Sequence, residues 1–486
     1  MNAVLEKVNE LPDGWEMLAI EDIAEVNPRV NKTEISDDLI VSFVPMPAVE
    51  AESGTIDVSQ ERPFSEVKKG FTPFIEGDVL FAKITPCMEN GKMAVVPKVK
   101  NGYGFGSTEF HVLRPKEEIE SKYIYYFVSS RTFRGVAQHN MSGAVGQKRV
   151  PTNYIKQHLI PVAPPEQQKH IVAKIEELFS HIDAGIEALK KAQELLKQYR
   201  QSVLKAAVTG ELTKEWREAN KAKIEPASQL LERILKERRE KWEEQQLEQL
   251  KAKGKVPKDD KWKEKYKDPN MGQDRFFGEN PEEWEVASID HLALDIRYGS
   301  SSKTSQDEKG VPVLRMGNII DGNLDYSNLK YLPVDHDEFP DLLLHDGDLL
   351  FNRTNSKELV GKTAVFRDTG KQTSLASYLI RVRVLSEIEP DFVAFFINSS
   401  CGRNWVKSCV SQNVGQANVN GTKLKALALP LPSSNEQKVI VRRVEEKMQS
   451  SDKLLTELDH QLFKVEKNKQ SILASAFSGS LNGANS

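Results

Sequence analysis

The strongest constraint on this chain is a long apolar stripe that occurs twice. Residues 166–210 read EQQKHIVAKIEELFSHIDAGIEALKKAQELLKQYRQSVLKAAVTG, and residues 436–479 read EQKVIVRRVEEKMQSSDKLLTELDHQLFKVEKNKQSILASAFSG. Glu166-Gln167 is answered by Glu436-Gln437, and Gln201-Ser202-Val203-Leu204 by Gln470-Ser471-Ile472-Leu473, 269 to 270 positions later. In the first copy Val172, Ile175, Phe179, Ile182, Ile186, Leu189, Leu196, Val203 and Ala207 fall on alternating steps of three and four, interrupted at Gln193 and Arg200. The second copy keeps the phase with Val441, Val444, Met448, Leu455, Leu458, Leu462, Val465, Ile472 and Ala476, with Ser451 and Lys469 as its polar positions. That spacing lines up side chains on one face of a helix and makes a helix-to-helix seam.

A helix of about 45 residues extends roughly 65 Å at ~1.5 Å per residue, too long to bury its stripe on one small domain. Pairing of the two copies within the chain is the simplest way to cover both. Ile171, Leu178, Leu195, Tyr199 and Leu204 widen the first stripe beyond a two-helix seam, which calls for a second contact, from the domains or from a partner.

The segments before each stripe also repeat. From residue 11 to 165, short β-rich runs alternate with Gly and Pro: 75–83, 92–98 and 105–113 read as strands, and 122–138 as a helix. In the second segment, 280–432, Pro281-Glu282-Glu283-Trp284-Glu285 echoes the opening Pro12-Asp13-Gly14-Trp15-Glu16. Asp346-Gly347-Asp348-Leu349-Leu350-Phe351 echoes Glu76-Gly77-Asp78-Val79-Leu80-Phe81, and Gly361-Lys362-Thr363-Ala364-Val365 echoes Gly91-Lys92-Met93-Ala94-Val95. Gly146-Gln147 matches Gly415-Gln416. Between these anchors the halves differ almost completely, as one scaffold carrying two different surfaces would.

Residues 213–279 occur only after the first stripe. A charged amphipathic helix is expected over 228–250, with Leu230, Leu231, Ile234, Leu235 and Trp242 on one side, as a docking or bracing element. Residues 251–267 hold eight lysines with Trp262 and Tyr266. They read as a solvated linker, with phosphate contact as the other reading.

Composition excludes several classes. A formal charge of -4 over 486 residues rules out bulk coating of nucleic acid, so any such contact comes from local patches or partners. Cys87, Cys401 and Cys409 form no CxxC, which fits a reducing cytoplasm and offers no metal site. No run approaches the length of a membrane span. Gly361-Lys362-Thr363 lacks the upstream glycine of a P-loop, since Ser356 stands there. Gly102-Tyr103-Gly104-Phe105-Gly106 lacks the helix and acid of a nucleotide fold and reads as a hairpin turn. The one Pro-Pro pair, Pro164-Pro165, has neither the preceding Asn or Asp nor the following aromatic of an adenine-gripping tetrapeptide. Pro12-Asp13, Pro340-Asp341 and Pro390-Asp391 have no nuclease-spaced Glu-x-Lys, and the nine histidines do not cluster. The chain reads as non-catalytic.

Each stripe opens at Pro-Pro-Glu-Gln or Ser-Ser-Asn-Glu-Gln and closes in Gln-Ser-Val/Ile-Leu-x-x-Ala-Val/Phe-x-Gly-x-Leu, and the first is followed by Thr213-Lys214-Glu215-Trp216-Arg217. With the duplicated Gly-Asp-x-Leu-Phe, this architecture resembles the specificity (S) subunit of type I restriction-modification enzymes over nearly the whole chain. The resemblance implies an α/β fold with two mixed α/β target-recognition domains, two long helices packed as an antiparallel coiled coil, and an internal pseudo-two-fold repeat. The expected divisions are 1–165 and 280–433 for the recognition domains, 166–212 and 434–486 for the spacer helices with the tail, and 213–279 for the extension. It further implies binding of double-stranded DNA at two unlike half-sites, with helix length acting as a ruler. The implied partners are two adenine-N6 methyltransferase (M) subunits carrying S-adenosylmethionine, and translocating restriction (R) subunits using ATP and Mg2+. The chain itself would hold no cofactor.

Base readout needs bidentate donors or amides on exposed loops. The candidates are Lys83, Thr85, Lys92, Gln147, Lys148 and Arg149 in the first domain. In the second they are Arg315, Asn318, Arg353, Asn355, Lys362, Gln412, Asn413, Gln416 and Asn418. Some of these would touch phosphates, positioning the duplex without reading it. The competing reading is a coiled-coil scaffold with two divergent modules for protein or glycan ligands.

Overall fold

The computed structural model describes residues 11–482 except 145, 258, 273, 274, 414 and 415, and leaves the side chains of 411–416 and 482 undescribed. The chain forms two compact units, Met1–Lys191 with Leu458–Ser486, and Ala192–Glu457.

Both stripes are single helices, Pro165–Val208 and Ser434–Phe477. In the first unit Lys469 Nζ donates to Asp183 at 2.6 Å, and in the second Arg200 Nη1 donates to Asp452 at 2.7 Å. Going from 183 to 200 moves 17 residues forward on one helix, and going from 469 to 452 moves 17 back on the other, so the pair is antiparallel. Arg200 and Lys469, interruptions of the apolar pattern, thus carry polar links across the seam, and Lys469 also sits 5.1 Å from the Phe179 ring centre.

Burial follows the heptads. Val172, Ile175, Val203 and Val444 are buried. Phe179, Ile182, Ile186, Leu189, Leu196, Val441, Met448, Leu455, Leu458, Leu462, Val465 and Ile472 are half-buried, and none is exposed. The helix ends sink into the globular cores, where each fully buried aliphatic side chain contributes about 1.5–3 kcal/mol. Ile171, Val172 and Ile175 join Leu473, Ala476 and the first domain's core. Val203, Leu204 and Ala207 join Ile440, Val444 and the second domain's core. Of the shoulder residues, Ile171 and Leu204 are thereby covered, whereas Leu195 and Tyr199 remain 55% and 42% exposed.

The first domain holds a four-stranded sheet, in the order Ala24–Val26, Phe110–Pro115, Val79–Ala82, Met93–Val95. The second repeats it with Ala293–Tyr298, Leu379–Val384, Leu349–Asn352 and Thr363–Val365. The duplicated Gly-Asp explains why. Gly77 and Gly347 adopt φ of 84° and 85°, a left-handed turn that an L side chain resists. The aspartate that follows is buried, and one of its oxygens accepts the N–H of Ile75 or His345 to close the turn. The same carboxylate takes a two-pronged bond from an arginine on the neighbouring strand, Arg114 to Asp78 and Arg383 to Asp348, at 2.7–2.8 Å. These charge-assisted pairs tie turn to sheet in both halves.

Four expectations are corrected. The run 105–113 is two strands, not one. Gly104–Gly106 lies between Ile40–Val44 and Thr72–Phe74 in a second sheet, and Phe110–Pro115 lies in the first. The glycine-rich run is accordingly a strand rather than a hairpin turn, because glycine makes room: a Cβ on Gly104 would stand 2.0 Å from Phe74, and one on Gly106 2.5 Å from the Val44 carbonyl oxygen. The helix over 122–138 is broken into Ser121–Ser129 and Arg131–His139, since Ser130 is extended and caps the second by accepting the N–H of Phe133. At the helix starts, the residues that answer one another are Gln167 with Glu436 and Gln168 with Gln437. Gln168 and Gln437 each donate to the carbonyl five residues back, Ala163 and Pro432, and accept from Glu120 N–H and Glu389 N–H.

The extension braces the second unit. Helix Ala227–Ala252 buries Leu230 and Ile234 in that core, and Arg233 pairs with Glu225 and Glu387. The lysine-rich run is not free in solvent along its length. Trp262 stacks on Trp242 at 6.1 Å, and Tyr266 packs edge-on to Trp242 at 5.4 Å, so aromatic residues within the run fasten it to the helix.

Candidate nucleic-acid interface

In the first domain the strand Val79–Ala82 runs out into Lys83, and a second loop is zipped alongside. Val150 N–H donates to Lys83 O at 2.8 Å, and Thr85 N–H to Lys148 O at 3.0 Å. This brings Lys83, Thr85, Gln147, Lys148 and Arg149 into one patch, but they are not equally available. Arg149 is clamped by Glu109, with Nε and Nη2 each 2.8 Å from a carboxylate oxygen, which lowers the Glu109 pKa. The Thr85 hydroxyl donates to Glu89. Lys92 is spent on the carbonyls of Met46 and Val49. Gln147 and Lys148 are exposed, and their side chains have no partner among the described residues.

Lys83 is half-buried, and burial pulls its pKa down despite the nearby Glu109. It opens into a groove of about 550 Å³ whose walls include Phe71, Pro73 and Phe110 and whose cations include Arg29 and Lys32. Lys32 donates to the Lys68 carbonyl, while Arg29 has no partner among the described residues. A cation-lined groove with apolar walls suits an anionic, partly aromatic polymer. Below it His111 is neutral, its pKa lowered by burial to about 4. Asn27 Nδ2 donates to His111 Nδ1, leaving Nε2–H to donate to Val150 O at 2.9 Å.

The second domain repeats the arrangement with other residues. Val419 N–H donates to Arg353 O at 2.9 Å, so Arg353 takes the place of Lys83 and Asn355 that of Thr85. Arg353 lies over the ring of Tyr298, 4.7 Å from its centre. Asn355 uses its oxygen on Ser356 N–H. Asn418 pairs through its backbone with Thr354, on strand Gln416–Asn418. The side chains of Gln412, Asn413 and Gln416, like Gly415, lie outside the described residues. Three candidates are tied up elsewhere. Arg315 Nη2 donates to Asn328, Lys362 to Asp321, and the buried Asn318 caps its own turn and donates to Asp325 and Asn328 carbonyls.

Sequence reasoning missed Arg29, Lys32 and Tyr298 beside the strand ends, and Glu109 as the clamp on Arg149. No local pattern marks them, because they meet the patch only through sheet pairing.

The family described as type I restriction modification DNA specificity domain matches residues 12–196 and again 281–462. The chain belongs to that family. Relatives include the EcoEI specificity subunit of Escherichia coli, 28% identical over 93% of this chain and 81% of that one. The EcoKI specificity subunit of Escherichia coli strain K12 is 27% identical over 82% and 76%. Among solved structures, the HsdS subunit from Thermoanaerobacter tengcongensis superposes with a TM-score of 0.58 at 18% identity, covering 98% of this chain and 99% of that one. A chain from work on complex assembly and conformational transition of the type I R-M system gives 0.67 at 18%, covering 97% and 100%. These two share the fold. The specificity subunit carries one DNA specificity segment in each half, and its part is selection rather than catalysis, which sets aside a scaffold for protein or glycan ligands. Among the described residues, no helix is long and apolar enough to cross a membrane.

Proposed function

We propose that this specificity subunit reads a split, asymmetric DNA site, one half-site per domain, and holds two adenine-N6 methyltransferase subunits and the translocating nuclease subunits around it in the cytoplasm. The supporting observation is the contrast at equivalent strand ends: Lys83 with the exposed Gln147 and Lys148 in one domain, Arg353 and Asn355 beside Tyr298 in the other. One scaffold bearing two unlike donor sets reads two unlike sequences. S-adenosylmethionine, ATP and Mg2+ belong to the partners.

Two surfaces favour partner docking. Leu195, Tyr199 and Leu454 expose 55%, 42% and 56% of their surface on the long helices in the second unit. In the first unit a groove of about 510 Å³ between the helices is walled by Leu178, Ile182, Gly185, Val465, Ile472 and Leu481. Helices with such faces recruit further helices.

The test is a map of N6-methyladenine across the genome of the source cell, with this gene intact and deleted. One two-part asymmetric motif disappears with the gene if the proposal holds. A methylome that keeps every motif in the deletion, in a cell whose methyltransferase partner is active, would refute it.

A further inference from the structure

Arg353 is held as a presented fork rather than a mobile charge. We propose that it reads a guanine in the half-site of the second domain, with Tyr298 as its stacking support; the assignment rests on the DNA-reading function proposed above. The guanidinium lies 4.7 Å from the Tyr298 ring centre, and that ring is itself fixed, its hydroxyl accepting the N–H of Gly421 at 2.7 Å. The backbone is pinned on both sides, Arg353 N–H donating to Tyr378 O at 3.0 Å and Arg353 O accepting from Val419 N–H at 2.9 Å. Of the side-chain nitrogens, Nε is buried without a partner, and Nη1 reaches the Ser377 carbonyl only at 3.5 Å. No carboxylate pairs with the group among the described residues, although Tyr298 beside it is 43% exposed.

The buried Nε cannot reach a base, so the fork is the Nη1–Nη2 edge, which makes no short bond among the described residues and matches the O6 and N7 acceptors of guanine in the major groove. A phosphate site has a different make-up. It gathers several cations on one surface. Around Arg353 stand Tyr298, Asn355, Ser377 and Tyr378, while Arg315, Lys362 and Lys423 are spent on Asn328, Asp321 and the Cys409 carbonyl. Lys83, at the equivalent place, lacks the fork, so the two half-sites differ at the base pair each position meets.

The experiment selects duplexes from a randomised library with the full chain assembled with its methyltransferase partners. It compares wild type with Arg353→Ala, Arg353→Lys and Tyr298→Leu and sequences the bound pool. The wild-type pool carries a split motif with an invariant G·C pair in one half. Arg353→Ala and Arg353→Lys lose discrimination at that pair by about 10- to 100-fold and keep it elsewhere, and Tyr298→Leu loses less at the same pair. The lysine variant keeps the charge, so loss of fold in the alanine variant is not mistaken for loss of reading. Weakening shared evenly by all sequences, or an unchanged motif, overturns the assignment alone. A wild-type pool with no split motif overturns the DNA-reading function itself.

Discussion

Trp284 donates its indole N–H to the buried carboxylate of Glu436 at 2.8 Å, and the equivalent Trp15 makes the same bond to the side-chain oxygen of Gln167 at 2.9 Å. Each half thus fastens the start of its domain to the start of its long helix. The second half adds charge: Glu436 also accepts from Thr213 and Arg217, both at 2.6 Å, so the extension after the first helix is locked to the start of the second.

Glu436→Ala removes the shared acceptor of three buried donors and leaves Arg217 with Glu283, at 3.7 Å, as its remaining carboxylate. The expected cost is about 3–5 kcal/mol, seen as a lower urea midpoint of the full chain. Glu436→Gln keeps the bond to Trp284, as Gln167 does for Trp15, and falls between wild type and alanine. Equal midpoints for all three would contradict this role.

His111 gives the first domain an acid-sensitive point. Its folded pKa of about 4 lies below the ordinary 6.5 because burial opposes the charge, and Asn27 offers a donor where a proton would go. The nearby Lys83 opposes protonation and Glu109 favours it. The unfolded chain takes up the proton first as pH falls. The stabilisation is therefore whole above 6.5 and is lost between 6.5 and about 4, by an amount on the order of 3 kcal/mol. His158, also lowered to about 4 by burial, adds to the same window. In His111→Gln the fall in melting temperature across that window is shallower than in wild type; an identical slope would contradict the assignment.

Local pattern carried the fold as far as short-range physics reaches. The heptad spacing of Val172 to Val203 marked the buried stripe, and the Gly-Asp pairs at 77–78 and 347–348 marked equivalent turns. The split of 105–113 was hidden because Gly104 and Gly106 serve as strand residues only opposite Phe74 and Val44, which are distant in sequence. The site was half legible for the same reason. Lys83 and Arg353 could be chosen as cations after a strand, but Arg149 looks free until Glu109 folds beside it, and Arg353 looks mobile until Tyr298 lies under it.

Ser451 tests the seam. It is 1% exposed, and its hydroxyl has no partner among the described residues, a buried polar group that lowers stability. Ser451→Ala should be neutral or stabilising by up to about 1 kcal/mol. In the Arg200–Asp452 pair beside it the carboxylate is exposed, and Asp452→Asn, which breaks that link, should cost less than about 1 kcal/mol in melting experiments. A large loss for Ser451→Ala would mean that the hydroxyl is bonded and that the seam is packed otherwise.

The most direct measurement replaces residues 11–165 with the corresponding domain of another family member, keeps both long helices and the second domain, and maps the methylated motif. Two independently reading domains predict that one half of the motif changes while the other half stays as it was. A motif altered in both halves, or in neither, would contradict the account.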